Sequence, residues 1–339
     1  MLKNNLMFYI KTTETCNLNC KHCFTNGRLG KKIFFNPDNT ARWVNSLKEK
    51  RPFLNAHFEF HGGEPMLADL KDLYKFYNLV SVEWDSASFG ITTNLVYKLT
   101  KEKIKFFKNV CNSRIGTSWD PYIRFENDNQ LKLFKDNIKT LLENNITIKM
   151  FVSLSNDVVD LGAEKLLDTI EEFKIHELAL ERITDNGSAT KNNVKPSNLK
   201  LQNFFLDMHN IKKEYSFFNE FMDTVYAKFE NNDKGLGTFC RDCEQKIFTI
   251  NATGTIGGCP NSAQEDFYSH INNNIDDVLK SVKRCNIIMK EMTRDNRCFN
   301  CSVFKYCGGD CHQLDWEGDL CASPRFLMKK LKEEYAVVN

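Results

Sequence analysis

The placement of cysteines constrains this chain more than any other feature. Of thirteen in 339 residues, three stand at Cys16, Cys20 and Cys23, and eight at Cys240, Cys243, Cys259, Cys298, Cys301, Cys307, Cys311 and Cys321. Cys111 and Cys285 sit apart and read as ordinary thiols. Met1 to Ile10 holds one Lys and a short apolar run without a small-residue cleavage site, so it is no secretory signal. No stretch reaches the roughly 18–20 apolar residues that cross a bilayer. The chain therefore reads as cytoplasmic, a reducing setting in which clustered thiols serve metal or redox chemistry rather than disulfides. A net charge of +2 gives no general field for nucleic acid or an anionic membrane, and neither is expected as a partner.

Periodicity orders the first half into alternating strands and helices. Strands are expected at 6–11, 57–60, 88–92, 115–119, 146–154 and 177–180, with helices at 37–50, 68–80, 101–108, 131–144 and 163–173. Such alternation makes right-handed βαβ units and a mainly parallel sheet. Six units give an α/β fold, a partial (β/α)6 TIM-like barrel, over residues 1–185. Residues 186–234 read as linker and bridging helices: 185–197 is polar, and 201–229 carries Phe204, Phe205, Phe217, Phe218 and Phe221 as a core-packing stripe. Residues 235–339 break into short segments between cysteines, as in a small domain ordered around metal.

The spacing C-x3-C-x2-C of Cys16, Cys20 and Cys23 directly follows the first strand, at the rim where barrel active sites lie. Soft thiolates suit an iron–sulfur cubane, and three of them leave one iron open for a ligand; a zinc loop is the competing reading. The motif resembles the signature of the radical S-adenosylmethionine (SAM) family, with His22 where an aromatic residue is common. His61-Gly-Gly-Glu-Pro65 after the second strand resembles that family's GGE motif, implying that Gly62, Gly63 and Glu64 bind the SAM amino group. The resemblance extends to Thr93 and Asn94 after the third strand. It extends also to Ser118 and Asp120 after the fourth, where Pro121 replaces a usual Gly. Lys139 falls where relatives place an Arg for the SAM carboxylate, against a plain solvated helix residue. Asn156 is a candidate adenosine contact, against a plain helix N-cap.

The C-terminal array of Cys240-x2-Cys243, Gly254-x4-Cys259, Cys298-x2-Cys301-x5-Cys307-x3-Cys311 and Cys321 resembles the SPASM domain of radical SAM maturases. Paired zinc ribbons would explain four of these thiols and leave the rest unexplained. The resemblance implies a [4Fe–4S] cluster on Cys240, Cys243, Cys259 and Cys311 and another on Cys298, Cys301, Cys307 and Cys321, so three clusters with SAM in all. It further implies an enzyme that cleaves SAM reductively and abstracts hydrogen from a substrate, most naturally a ribosomally made precursor peptide that receives a cross-link, thioether or similar modification. Reduced flavodoxin or ferredoxin would be the electron donor. With the cysteine loop beginning at residue 16, no fused leader-recognition module is expected, and a separate protein or the barrel itself would read the leader. Two enzymatic alternatives remain. One is an anaerobic sulfatase maturase, whose catalytic Asp after a cluster cysteine is replaced here by Pro260 and Asn261; the other acts on a small molecule or cofactor precursor. A metal-stabilised scaffold without turnover fits poorly with an open three-cysteine site. The catalytic acid or base is not evident from the sequence.

Overall fold

The computed structural model describes residues 4–25, 27–52, 54–230, 239 and 241–338. Strands β1 (Asn5–Lys11), β2 (Asn55–His61), β3 (Ser88–Ile91), β4 (Arg114–Ser118), β5 (Thr147–Leu154) and β6 (Glu177–Arg182) alternate with helices. These are α1 (Pro37–Lys50), α2 (Leu70–Ser81), α3 (Lys101–Asn109), α4 (Asp128–Glu143), α5 (Asn156–Leu161) and α6 (Ala163–Glu172). Local chemistry sets their ends. In α1, Pro37 supplies a preset φ at the first turn while Asn36 accepts the Asn39 N–H, and Trp43, Val44 and Leu47 turn inward. β1–β2–β3 and β4–β5–β6 each run parallel. A parallel bridge from Thr92 to Gly116 joins the two sets, so the partial barrel is the one expected.

After β6 come α7 (Ser188–Asn192), α8 (Asn198–Asn210), the two-residue β7 (Phe218–Asn219) paired with β6, and α9 (Glu220–Ala227). Phe204, Phe205 and Phe217 are buried, and Phe221 stacks on Phe205 at 4.6 Å. Phe218 departs from the stripe, because the edge strand that carries it leaves it 48% exposed. The segment read as a linker is tied down: Ser188 N–H donates to Cys23 O, Asn192 Nδ2 to Lys21 O and Asn186 Nδ2 to Asn261 O. Its polar side chains are there to bond backbone.

The C-terminal region holds α10 (Cys243–Lys246), β8 (Ile247–Ile250), β9 (Thr255–Gly257), β10 (Ser269–His270), α11 (Ile275–Lys280) and α12 (Val282–Met292). Two single-turn helices, α13 (Asn296–Phe299) and α14 (Phe304–Cys307), precede α15 (Arg325–Val338), which packs on α8. This region is continuous with the barrel. β8 pairs in parallel with β1 on the edge opposite β2, giving the sheet order β10-β9-β8-β1-β2-β3. The register aligns Phe248, Phe8, Phe58 and Phe89 across four strands, stacked at 5.5, 4.9 and 5.2 Å, with Trp84 edge-on to the central two. The boundary expected at 234 and 235 lies outside the described residues.

Phe248 belongs to the cysteine-rich region but stacks in the barrel core. Phe248→Ala is expected to lower stability by about 3–5 kcal/mol, the usual cost of emptying a buried phenyl site. A fall in the urea midpoint of tryptophan fluorescence would report it, since Trp43 and Trp84 pack around this ladder. An unchanged midpoint would mean the two regions unfold independently.

Candidate active site

The loop after β1 carries Cys16, Cys20 and Cys23 across the barrel mouth. Its backbone is held from several sides: Thr12 N–H bonds His61 O, Cys16 N–H bonds Gly27 O, and Lys21 N–H bonds Ile123 O. The turn after β2 lies directly beneath it. Gly63 N–H bonds Thr13 O at 2.9 Å and Glu64 N–H bonds Thr15 O at 3.0 Å. Both glycines are required by contact. A Cβ on Gly62, at φ +139°, would lie 2.5 Å from Thr13 O, and one on Gly63 would lie 2.0 Å from Thr15 O.

The donor set fits an iron–sulfur group. Cys16 and Cys20 lie within electrostatic reach of one another and of Cys23, and burial pushes Cys16 up to about 11 and Cys20 up to about 12. Thiols this hard to ionise alone become thiolates on binding iron. Groups that stabilise the charge are in place, as Leu18 N–H points at Cys16 Sγ from 3.3 Å and Asn94 Nδ2 from 3.6 Å. Among the described residues, no three of His, Cys, Asp and Glu gather as a site for a single metal ion.

Glu64 is buried, and its carboxylate accepts from Thr93 Oγ1 at 2.6 Å, Asn94 N–H at 2.7 Å and Met66 N–H at 2.9 Å. Burial still raises its pKa. The side chain thus clamps the end of β2 to the end of β3, and Thr93 serves the clamp. Asn94 bridges onward to Asn17 Oδ1 and to Cys16. Gly62, Gly63, Glu64, Thr93 and Asn94 therefore lie together beside the cysteine loop.

Ser118 is half-buried at the end of β4. Asp120 has a different employment from a ribose neighbour. Fully buried, it accepts from Arg124 Nε at 2.7 Å and Ser153 N–H at 2.6 Å, and faces His22 Nε2 at 3.4 Å. Burial would raise its carboxyl, but Arg124 and then His22 hold it below the usual range. Here is the physical reason for His22 in place of an aromatic: the imidazole closes a buried charge cluster. Arg124, missed in the sequence, also lies within electrostatic reach of Cys20 and Cys16. Its one signal was the i,i+4 spacing from Asp120. Two candidates do not join the site. Lys139 is exposed on the outer face of α4, 4.0 Å from Glu143, because that helix buries Phe134, Asn137 and Ile138 instead. Asn156 Nδ2 donates to Asn193 O and Lys195 O, and the cap of α5 is Ser155 rather than Asn156.

In the C-terminal region, Cys298, Cys301, Cys307, Cys311 and Cys321 line one cleft of about 450 Å³. Cys311 also acts electrostatically on Cys243 and Cys259, so it stands between the two expected ligand groups. Cys240 lies outside the described residues. Arg182, at the end of β6, forms a buried two-bond ion pair with Asp310 and reaches Ala322 O. Arg241 spends its guanidinium on the carbonyls of Glu291, Thr293, Gly309 and Asp310.

A second cleft, about 460 Å³, opens between the two regions and is lined by Lys11, Glu14, Phe24, Gly62, Asn251 and Phe267 among others. Burial lowers the Lys11 ammonium to about 8, while Cys259, Cys23 and Glu14 pull the other way. Nothing in the sequence pattern marked Lys11 beyond a charge at the end of an apolar strand.

Residues 10–153 match the profile of the Radical SAM superfamily. Across 330 residues the chain is 23% identical to the radical SAM cyclopropyl synthase TigE of Paramaledivibacter caminithermalis, over 88% of this chain and 66% of that protein. Across 177 residues it is 28% identical to an S-adenosylmethionine-dependent nucleotide dehydratase of Fibrobacter sp. strain UWH6, over 48% and 51%. The chain thus spans just under two thirds of the first of these relatives and about half of the second. Among solved structures, anSMEcpe with bound AdoMet superposes with a TM-score of 0.79 at 16% identity, over 98% of this chain and 97% of that one. SuiB of Streptococcus suis bound to precursor peptide SuiA gives 0.62 at 17%, over 91% and 72%. Residues 10–153 are thus similar to a family that works with a [4Fe–4S] cluster and SAM. In fold the chain is similar to anSMEcpe over 98% of its length and to SuiB over 91%.

Because a Cβ on Gly63 meets backbone, Gly63→Ala must displace the cysteine loop. Anaerobic reconstitution of this variant is expected to lose up to about four irons per chain, one cubane's worth. Lys139→Ala is expected to bind iron and SAM as the wild type does, measured by iron assay and equilibrium dialysis.

Proposed function

We propose that this enzyme modifies a ribosomally synthesised peptide, with Cys16, Cys20 and Cys23 holding the cluster at which SAM binds. The observation that carries the reading is the direct hydrogen bonding of the Gly62–Gly63–Glu64 turn against the three-cysteine loop. When bound, that cluster supplies the electron that cleaves SAM to a hydrogen-abstracting 5′-deoxyadenosyl radical. The chain's own residues do the rest. Leu18 N–H and Asn94 temper the charge on Cys16, and Glu64 fixes the rim to which SAM would be held. Cys240, Cys243, Cys259 and Cys311, and separately Cys298, Cys301, Cys307 and Cys321, would hold two auxiliary clusters.

A peptide substrate is supported by the fold-neighbours captured with peptides, anSMEcpe with Cp18Cys peptide and SuiB with SuiA. It is supported also by the cleft shared between barrel and C-terminal region. Sulfatase maturation is disfavoured by Asn261 after Cys259-Pro260. Reduced flavodoxin or ferredoxin would deliver the electron.

Replacing Cys16, Cys20 and Cys23 together by Ala is expected to reduce iron from about twelve to about eight per chain, as ligation of three cubanes requires. Formation of 5′-deoxyadenosine should vanish with it. Zinc in place of iron, or deoxyadenosine surviving the triple change, would defeat the proposal.

A further inference from the structure

The cleft at the barrel mouth contains a pair of groups without a hydrogen-bond partner among the described residues, although Cys259 and Cys23 lie within electrostatic reach of one of them, Lys11. Lys11 ends β1 and is only 6% exposed, yet no ion pair or hydrogen bond of its ammonium is recorded among the described residues. It lies instead 5.4 Å from the ring centres of both Phe24 and Phe267. Two ring faces offset only part of the cost of desolvating an ammonium. Glu14, on the same wall, has a buried Oε1 without a hydrogen-bond partner. A buried donor and a buried acceptor that both face one cavity are the signature of a site awaiting a polar ligand.

The cleft adjoins the Gly62 turn and the cysteine loop and extends from them toward the C-terminal region. Its walls come from the end of β1, the cysteine loop, the Gly62 turn and the C-terminal residues Asn251, Ser262 and Phe267. Ser118, Asp120 and Asn156, on the β4–β5 side, contribute nothing to it. The chemistry also limits the occupant. A dianionic phosphate would meet one cation with the Glu14 carboxylate beside it, whereas a single carboxylate matches Lys11 and leaves Glu14 to accept an N–H. The flanking phenyl rings suit the short apolar stem between such groups.

We infer that this cleft seats one residue of the substrate, with Lys11 receiving a carboxylate and Glu14 accepting an N–H from the same ligand. The inference rests on the peptide reading above and deepens it: the modified segment presents a carboxylate next to an amide N–H. That chemistry belongs either to a C-terminal residue or to an acidic side chain, and Lys11 and Glu14 are specificity residues in both cases.

Saturation-transfer NMR on the anaerobically reconstituted enzyme tests this with three probes. N-acetyl-L-alanine represents a C-terminal carboxylate, N-acetyl-L-aspartate α-methylamide an acidic side chain, and N-acetyl-L-alanine amide the neutral control. One of the acids is expected to bind at least about tenfold more tightly than the amide, as befits a charge-assisted hydrogen bond, and its identity names the source. Lys11→Met should abolish that preference and Lys11→Arg should keep it, with iron content and circular dichroism matching the wild type. Should Lys11→Met not fold, Phe267→Leu removes one ring wall and is expected to weaken the favoured acid at least about threefold. Equal binding of acid and amide to the wild type, a preference that survives Lys11→Met, or binding of the favoured acid that Phe267→Leu leaves unweakened would overturn the inference. Deoxyadenosine formation in the same preparations keeps the two readings apart. SAM cleavage without acid preference defeats the carboxylate site alone, whereas acid preference without SAM cleavage defeats the radical reading and leaves the site standing.

Discussion

The parallel pairing of β8 with β1 is the constraint on which the rest of the molecule depends. A partial barrel has an open edge at its first strand, and an unpaired parallel edge is both unstable and sticky. Here the edge is covered by a strand from the cysteine-rich region, sealed by the Phe248–Phe8–Phe58–Phe89 ladder. Barrel register therefore sets where Cys259, Asn251 and Phe267 stand relative to Lys11 and the first cysteine loop. The shared cleft is a consequence of strand pairing, and a shift of one residue along β1 would turn every inward side chain outward.

Fixed cations are the second organising element. Clusters on thiolates concentrate negative charge, and in a low-dielectric interior that charge needs balance. Arg124 lies beside the first loop, Arg182 ties Asp310 at the end of β6, and Arg241 crosses the carbonyls around Asp310. Each is anchored by hydrogen bonds to the protein, which fixes where its positive end stands. The Arg182–Asp310 pair couples the barrel rim directly to the peptide that bears Cys311.

How much of this was legible in the sequence follows from the range of the interactions involved. The strands and helices of the barrel came through within a few residues, because alternation and capping are local: α1 begins at Pro37 and ends at Lys50 as its pattern requires. The cysteine loop and the Gly62–Gly63 turn were legible because their spacing is itself the chemistry. What was not legible depends on contacts between distant residues. Nothing near Phe248 announces Phe8, and nothing near Arg124 announces Cys20. Lys139 misled because a cation at the right distance along the chain says nothing about which face of α4 it occupies; Phe134 and Ile138 decide that.

Glu64 illustrates how a motif can keep its place and gain a different physical meaning. A carboxylate after two glycines suggests a group aimed at an ammonium, and this one also accepts three bonds from within the chain, from Thr93, Asn94 and Met66. With three donors bound, the side chain is a clamp between two strand ends. The same clamp positions Asn94, whose amide then reaches Cys16 and Asn17. Removing the Glu64 charge would therefore act first on the alignment of β2, β3 and the cysteine loop, and only through that alignment on whatever the loop holds. The glycines and the carboxylate form one device: the first two let the loop come close, and the third keeps it there.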